Sequence, residues 1–572
     1  MFSRVLIANR GEIAVRIART CRELGIAPLA VYSDVDAAAL HVTTADDAVH
    51  LPGVAPTDTY LDKGAVIDAA TSLGAEAIHP GYGFLAEKQD FAQAVIDAGL
   101  VWIGPPPAAM ALVGDKISAR RTAEGAGVPV VPGLLDAVED VAEVQAFAET
   151  HGFPIAIKAS GGGGGRGLKV ARSADEVVDA FDSARREAEA YFGSSAVYVE
   201  RYLDAPKHLE VQILSPSPDD ALWLGVRDCS LQRRHQKLIE ETPPPTAEHL
   251  APGMGAAAVA IAKACGYVNA GTVEMLMQDD RFYFLEVNAR LQVEHTVTEE
   301  LFGVDLVACQ LRIAAGEALG FGQEDLVPRG HSIECRINAE DPGRGFIPSP
   351  GRLSAYKEPG GRGIRVDSGY RAGDSLPAAY DSLLAKLIAT GADRVEARTK
   401  MLRALDEFVI EGLSSTIEAH KLLLASPEFV EGIHTTRTIE DGSVLDALQS
   451  AEIQLEERDY LLINGLHVAL WSPSMSASAV AAVHESGTGG GGDIRAPMQG
   501  TILKVVATVG DRVEVGDAIV ILEAMKMETT LAAPSTGTVA EIRVAAGETA
   551  ASGDVVAVIT PGDAPPASPD QG

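Results

Sequence analysis

AGTVEMLMQDDRFYFLEVNAR, residues 270–290, reads as a β-hairpin. One strand covers 272–277, Gln278, Asp279 and Asp280 supply the turn, and a second strand covers 282–288. Folding the chain about residue 280 sets Glu274 nearly opposite Glu286. The two-residue period of a strand then puts Asn288 and Arg290 on the face of Glu286 and turns Val287 and Ala289 inward. Like charges opposed across a ladder are destabilising unless something neutralises them. The apolar runs MLM and FYFL argue against a merely solvated face. A divalent cation such as Mg²⁺, shared between carboxylates and substrate phosphates, resolves the conflict.

Upstream, KASGGGGGRG (158–167) joins the strand PIAIKA to the strand GLKVA. Backbone without side chains lets successive N–H groups wrap phosphate oxygens. Lys158 and Arg166 add positive charge there, in an acidic protein. A long hairpin without a ligand is the plainer alternative. The segment is not a Walker A loop, because G-x-x-x-x-G-K-[ST] is absent. Between these two hairpins, RDCSLQRRHQKLIEETPP (227–244) gathers Gln232, Arg233, Arg234, His235 and Lys237. Taken alone, such a cluster is most often a solvated strand edge. Downstream, Glu294 follows Arg290 by four residues, and IECRINAEDP supplies Arg336.

The 572 residues allow three to five domains. With 80 Asp and Glu against 47 Lys and Arg, the net charge of −33 opposes nucleic acid or an anionic membrane as a bulk partner. Five scattered cysteines (Cys21, Cys229, Cys265, Cys309 and Cys335) form no C-x-x-C and read as reduced thiols. The opening MFSRVLIANRGE is a strand rather than a signal peptide, and no apolar run reaches membrane-spanning length. A cytoplasmic protein is expected.

Near the other end, two segments repeat: APMQGTILKVVATVGDRVEVGDAIVIL (496–522) and APSTGTVAEIRVAAGETAASGDVVAVI (533–559). They share A-P-x-x-G-T, a later Gly (Gly510, Gly547) and a Gly-Asp pair, all offset by 37. Alternating residues between Gly and Pro punctuation predict a small two-fold β sandwich or flattened barrel of about 70 residues. EAMKMETT (523–530) bridges the halves, so Lys526 is expected at a solvent-facing hairpin tip. Ala524, Met525 and Met527 stand where a turn normally takes Gly, Asn or Asp. Exposed apolar residues around one lysine suggest a surface made for recognition and a modified carrier lysine.

The chain divides as follows. Residues 1–113 alternate strands and helices as a doubly wound α/β domain, 114–203 form a lid region, and 204–446 continue as mixed strands and helices. Residues 447–493 carry in their first half RDYLLINGLHVALWSP (458–473), two apolar runs about Asn464-Gly465, a strong hairpin signal. That hairpin would expose Leu461, Leu462, Leu466, Val468, Leu470 and Trp471, and needs a docking surface. A Ser/Ala/Gly tether ending in GTGGGGD follows, then the β domain over 494–561 and a disordered tail over 562–572.

Segment 494–561 resembles a biotinyl domain, whose modified lysine sits in A-M-K-M; the related lipoyl domain carries D-K-A instead. Over residues 1–446, IANRGEIAVRI, HPGYGFLAE, GDKISAR, KASGGGGGRG, RDCSLQRRHQK, EVNARLQVEHTVTE and ECRINAEDP recur in the order of the biotin carboxylase branch of ATP-grasp enzymes. The expected fold is therefore α/β plus α+β: an ATP-grasp carboxylase with a mobile lid, then a tether and an all-β biotinyl barrel-sandwich.

The resemblance implies roles. Lys116, Lys158 and His208 would hold ATP phosphates or ribose, with Gly164 and Gly165 closing over them. Glu200, Arg201, Tyr202 and Leu203 would meet the adenine, with Gln232 and His235 nearby. Glu274, Glu286 and Asn288 would bind Mg²⁺ or Mn²⁺. Lys237, Arg290 and Val293 would position bicarbonate, Glu294 would be its general base, and Arg336 would stabilise carboxyphosphate and the biotin enolate. Lys526 would carry biotin, attached by a biotin protein ligase. No domain of carboxyltransferase size remains, so the whole resembles the α subunit of an acyl-CoA carboxylase, in a hetero-oligomer with a separate transferase β subunit that alone meets the acyl-CoA. A carboxylase serving another acceptor, or an ATP-grasp amide ligase, stays open as an alternative. The sequence does not name the acyl-CoA.

Overall fold

A computed structural model describes residues 1–134, 137–159, 168–192, 195–234, 236–441, 444–449, 460–463, 466–469, 493–496, 500–524, 527–550 and 553–561. The chain opens with RVLI, an apolar run too short for a helix, as β1 (Arg4–Ile7). Helix α1 (Gly11–Glu23) then leads to β2 (Ala27–Tyr32), and β3 (Asp47–His50), β4 (Ala77–His79) and β5 (Val101–Trp102) complete a parallel sheet. Its order, β3-β2-β1-β4-β5, is the expected doubly wound pattern, reversing direction beside β1.

Three strands form a separate small sheet: β6 (Ile155–Ala159), β7 (Leu168–Ala171) and β8 (Val197–Arg201). With β6 central, they pack on the helix Val177–Phe192 around their own core, which includes Phe147, Ile157 and Phe181. This unit carries the glycine loop. Lys158 pairs with Leu168 across it, while Gly164, Gly165 and Arg166 lie outside the described residues.

The largest sheet is eight-stranded and antiparallel. It contains β9 (Lys207–Ser217), β10 (Asp220–Arg233), β11 (Gln236–Thr242), β12 (Asn269–Gln278), β13 (Arg281–Asn288) and β14 (His331–Asn338). Strands Leu383–Gly391 and Ile364–Ser368 complete it, in the order β13-β12-β9-β10-β11-β14-(383–391)-(364–368). The N-terminal domain shares its core with this sheet: Val5, Ile7 and Ile13 join Leu214, Leu222 and Leu291. Contact is close enough to require glycine at one point, because a Cβ on Gly369 would lie 2.5 Å from the Glu12 backbone nitrogen.

The β12–β13 hairpin differs from the expected one in its turn. Gln278 pairs with Arg281, so two residues rather than three make the reversal, and Asp279 (φ 55°) and Asp280 (φ 58°) both adopt positive φ. A tight turn there would set Glu274 opposite Leu285. An irregularity between Glu274 and Met275 shifts the register by one, and Glu274 faces Glu286 as expected.

In 493–561 each sheet takes the two long strands of one repeat and the short strand of the other. Gly500–Val505 and Ala518–Ala524 pair with Thr549–Ala550; Gly537–Ile542 and Val555–Pro561 pair with Arg512–Val513. The repeat of 37 residues thus builds an interlocked two-fold sandwich. Pairing at the junction runs up to Ala524 opposite Met527, and Met525 and Lys526 lie outside the described residues. The strands Tyr460–Ile463 and Leu466–Ala469 pair in register about Asn464 and Gly465, which, like Leu470 and Trp471, are outside the description.

Candidate active site

The sheet brings its polar residues to one face near the hairpin. Lys237, on β11, donates to Glu210 Oε1 (2.7 Å), Glu294 Oε1 (2.7 Å) and Glu274 Oε1 (3.1 Å). Arg336, on β14, donates through Nη2 to Glu294 Oε2 (2.9 Å) and through Nε to Glu240. Arg227 is wholly buried and binds Glu210, Gln212, Thr272, Gln292 and Thr298. Gln292 also donates to Glu274 Oε1 at 2.9 Å. Each charge is met by an opposite one in a setting that excludes water, where a lone charge would be prohibitive.

The pKa directions divide the carboxylates into two kinds. Burial works against the charged form of Glu294, but Lys237 and Arg336 outweigh it and hold the carboxyl well below its ordinary range. Glu274 is held low in the same way by Lys237 and His208. Burial instead pushes Glu210 and Glu240 upward. Glu334, whose Oε2 accepts from Thr296, is pushed up to about 7 by burial. Glu294 and Glu274 are thus held ionised by the cations beside them, while burial shifts Glu210, Glu240 and Glu334 the other way.

Glu286 is raised by burial and by Glu274 opposite, with Lys116 and His208 as the cations acting on it. His208 Nε2 lies 3.0 Å from Glu274 Oε2. Asn288 presents Oδ1 to Arg290 Nη2 at 3.2 Å, and its buried Nδ2 has no partner among the described residues. Two carboxylates and a carboxamide oxygen, one carboxylate strained by its own neighbour, suit a hard divalent cation. A different trio, Glu210, Cys229 and Glu294, also converges closely enough for a metal. Lys237 already lies 2.7 Å from both of its carboxylates, so that charge is neutralised by protein.

Arg290 Nε lies 3.1 Å from Glu87 Oε1 of the N-terminal domain. Val293 presents its carbonyl to Lys386 Nζ at 3.0 Å. On the opposite side, Lys158 pairs with Glu200, whose other oxygen is 3.5 Å from Arg120. Arg201 and Tyr202 are tied to Pro132 and Pro154 by backbone hydrogen bonds, and Leu203 is buried. Lys116 starts the helix Lys116–Gly125, capped by Asp115. Gln232 is buried and pairs with Lys237 across the ladder, while His235 lies outside the described residues.

Lys237, Glu274, Glu286, Asn288, Arg290, Glu294 and Arg336 therefore form one centre. Sequence reasoning missed its inner supports: Glu210, Arg227, Glu240, Gln292, Lys386 and Glu87. The available signals were single charges inside apolar strands, Arg227 in GVRDCS and Lys386 in LLAKLIATG.

The chain and its fold have relatives among known proteins. The family described as biotin carboxylase, N-terminal domain, matches residues 1–110, and the carbamoyl-phosphate synthase L chain ATP-binding domain matches 115–321. The biotin carboxylase C-terminal domain matches 334–441, and the biotin-requiring enzyme domain matches 492–559. The biotin-dependent acyl-coenzyme A carboxylase alpha3 subunit of Mycobacterium leprae is 45% identical over 93% of this chain and 94% of its own. Biotin carboxylase of a Nostoc species is 48% identical over 77% of this chain and 99% of its own. Among solved structures, the Campylobacter jejuni biotin carboxylase–β-γ-ATP complex aligns with TM-score 0.73 at 41% identity, covering 77% of this chain and 99% of that one. The biotin carboxylase domain of Hydrogenobacter thermophilus 2-oxoglutarate carboxylase, complexed with MgADP and bicarbonate, aligns with TM-score 0.73 at 44% identity, covering 78% of this chain and 99% of that one. The chain belongs to the biotin carboxylase family: it is an ATP-dependent ligase that carboxylates biotin, joined to a biotinyl domain of its own.

Proposed function

We propose that the chain is the α subunit of an acyl-CoA carboxylase, charging biotin on its own Lys526 and delivering it to a carboxyltransferase on a separate chain. The observation that carries this reading is the match to the M. leprae α3 subunit, which extends through both the carboxylase and the biotinyl regions. The paired strands 460–469 are the candidate contact with the transferase.

The site residues then take these parts. Lys116, Lys158 and His208 bind the ATP phosphates and ribose, beneath the loop carrying Gly164 and Gly165. Glu200, Arg201, Tyr202, Leu203, Gln232 and His235 surround the adenine. Glu274, Glu286 and Asn288 would hold Mg²⁺ or Mn²⁺, which would neutralise phosphate charge during the transfer. Arg290, Lys237 and the backbone of Val293 orient bicarbonate toward the γ-phosphorus. Glu294, held ionised, takes the bicarbonate proton as its oxygen attacks, and ADP leaves. Bicarbonate engaging Lys237 loosens that lysine from Glu294 and raises the carboxylate's basicity when a base is needed. Arg336 stays beside the negative charge that develops. The carboxyphosphate so formed breaks down to CO₂ and phosphate, and biotin would supply the ureido nitrogen that captures the CO₂ as its N–H proton passes to the phosphate.

A second reading has a specific basis. A pyruvate carboxylase chain of Methanothermobacter thermautotrophicus is 45% identical over 84% of this chain and 98% of its own. The acceptor could then be a 2-oxo acid. Purifying the chain with its native partner and assaying acyl-CoAs of increasing length beside pyruvate and 2-oxoglutarate decides between them. Carboxylation of a 2-oxo acid alone overturns the acyl-CoA reading; ATP cleavage that ignores bicarbonate overturns both.

A further inference from the structure

Two stretches have no part in the chemistry so far: the N-terminal loop HPGYGFLAE (79–87) and the strand LLAKLIATG (383–391). The strand is apolar except for one lysine. Lys386 is fully buried, yet its ammonium reaches the centre. The geometry points to Lys386 as a positioning residue for the bicarbonate step: it fixes the Val293 carbonyl, and Glu12 and Tyr82 of the N-terminal domain hold it in place. This rests on the bicarbonate assignment of Arg290, Val293 and Glu294 above.

The ladder supplies the first part of the argument. Lys386 stands directly opposite Arg336 on one side and Asp367 on the other, so the three side chains share a face. Arg336 grips the Glu294 carboxylate at 2.9 Å, and Lys386 donates to the Val293 carbonyl at 3.0 Å. The two partners of one rung therefore hold consecutive residues, one by side chain and one by main chain. Rotating the peptide between Val293 and Glu294 would break a charge-assisted hydrogen bond in a dry setting. It would also swing Glu294 away from Lys237.

The second part is what meets the buried lysine and aims it. Nζ lies 3.2 Å from Glu12 Oε2 and 3.9 Å from Asp367 Oδ2. The Tyr82 hydroxyl donates to the other oxygen of Glu12. Asn9 Nδ2 anchors the Tyr82 loop through the carbonyls of Pro80 (2.8 Å) and Tyr82 (2.7 Å). The same loop ends in Glu87, beside Arg290. One loop of the N-terminal domain thus supports both Arg290 and Lys386. Burial of the lysine alone would be satisfied by Glu12 and Asp367; the bond to Val293 is the one aimed at the site.

The test uses the full-length chain with ATP, bicarbonate and free biotin. Lys386→Met keeps the length of the side chain and removes its donor. The expected result is a bicarbonate KM raised about tenfold, an ATP KM within about twofold of wild type, and partial recovery in Lys386→Arg. Tyr82→Phe should move the bicarbonate KM in the same direction by less. Equal loss in both substrates, or no change, overturns the inference. Should Lys386→Met fail to fold, Glu12→Gln/Lys386→Met removes both buried charges together, and the same split is required of it. Arg290→Ala run in parallel separates the two ideas. An unchanged bicarbonate KM there would overturn the site assignment, whatever Lys386 does.

Discussion

The eight-stranded sheet and the turn after β13 bury Glu210, Arg227, Glu240, Glu274, Glu294 and Lys386, whereas no charged side chain is buried among the described residues of 493–561. The sandwich core is Ile502, Ile519, Val520, Leu522, Val539, Val556 and similar residues, and its ionic groups, such as Asp511, Arg512 and Asp517, lie at the surface. The first region spends stability to hold charges at fixed positions. The second needs only to be rigid and to present one lysine. Charge is buried where bonds are made and kept out where a group is merely carried. Substitutions should therefore act in opposite ways in the two regions: confined to a single residue in the carrier, and spread over a network in the carboxylase.

The largest expected effect is also the sharpest test of the carrier. Lys526→Arg should abolish biotin attachment, read as the loss of one biotin per chain by intact mass and streptavidin blot. Carboxylation of free biotin should stay within about twofold of wild type, because the network in the sheet is untouched. A biotin found elsewhere on the chain, or lipoate at this position, breaks the comparison at once.

Next come the network charges. Glu294→Gln should lower bicarbonate-dependent ATP cleavage by ~10²- to 10³-fold, the range of a lost general base, with a far smaller change in ATP affinity. Arg336→Ala should lose as much in biotin carboxylation and also destabilise the fold, since Glu240 and Glu294 are left without it; removing one partner of a buried pair costs about 3–5 kcal/mol. No surface charge of the sandwich should do either. A milder effect is expected of Glu286→Gln: an activity loss of about tenfold at limiting Mg²⁺, partly restored by raising the metal concentration. Full activity at limiting Mg²⁺ would remove the hairpin from the metal site.

The contrast also explains what the sequence could tell. The sandwich was legible nearly whole, because its two halves repeat and its core alternates with the strand period. The Glu274–Glu286 opposition was legible too, although for a partly mistaken reason. The turn is one residue shorter than expected, and a register shift beside Glu274 restores the pairing. Glu210, Arg227 and Lys386 were not legible. Arg227 meets Glu210 across the β9–β10 hairpin, but Glu210 and Lys386 reach the centre through strands that are neighbours in the sheet and distant in the chain: β9 with β12, and 383–391 with β14. A charged residue inside an apolar strand signals a buried partner, but only the sheet order says which one. The roles proposed for Arg290, Glu294 and Arg336 came from the resemblance; the structure adds the ion pairs of Arg336 with Glu294 and of Arg290 with Glu87.

The smallest effect tests whether the network really tolerates protonated carboxyls. Glu334 has one oxygen accepting from Thr296, the other buried without a partner among the described residues, and its carboxyl is pushed up to about 7 by burial. A carboxyl raised in the folded state retains a proton that the unfolded chain has already lost. Its contribution to stability is complete below the ordinary carboxyl range and fades as pH rises toward about 7. Glu334→Gln keeps an oxygen for Thr296 and cannot ionise. The variant should therefore gain on the wild type as pH rises, with the difference levelling off above about pH 7. On a chain of this size the gain is expected to be ~1–3 °C in the carboxylase melting transition. A difference that is flat with pH, or that shrinks as pH rises, would mean that Glu334 is ionised throughout. Lys386, the cation that most opposes its burial, would then carry more of the compensating charge than the ion pairs with Glu12 and Asp367 suggest.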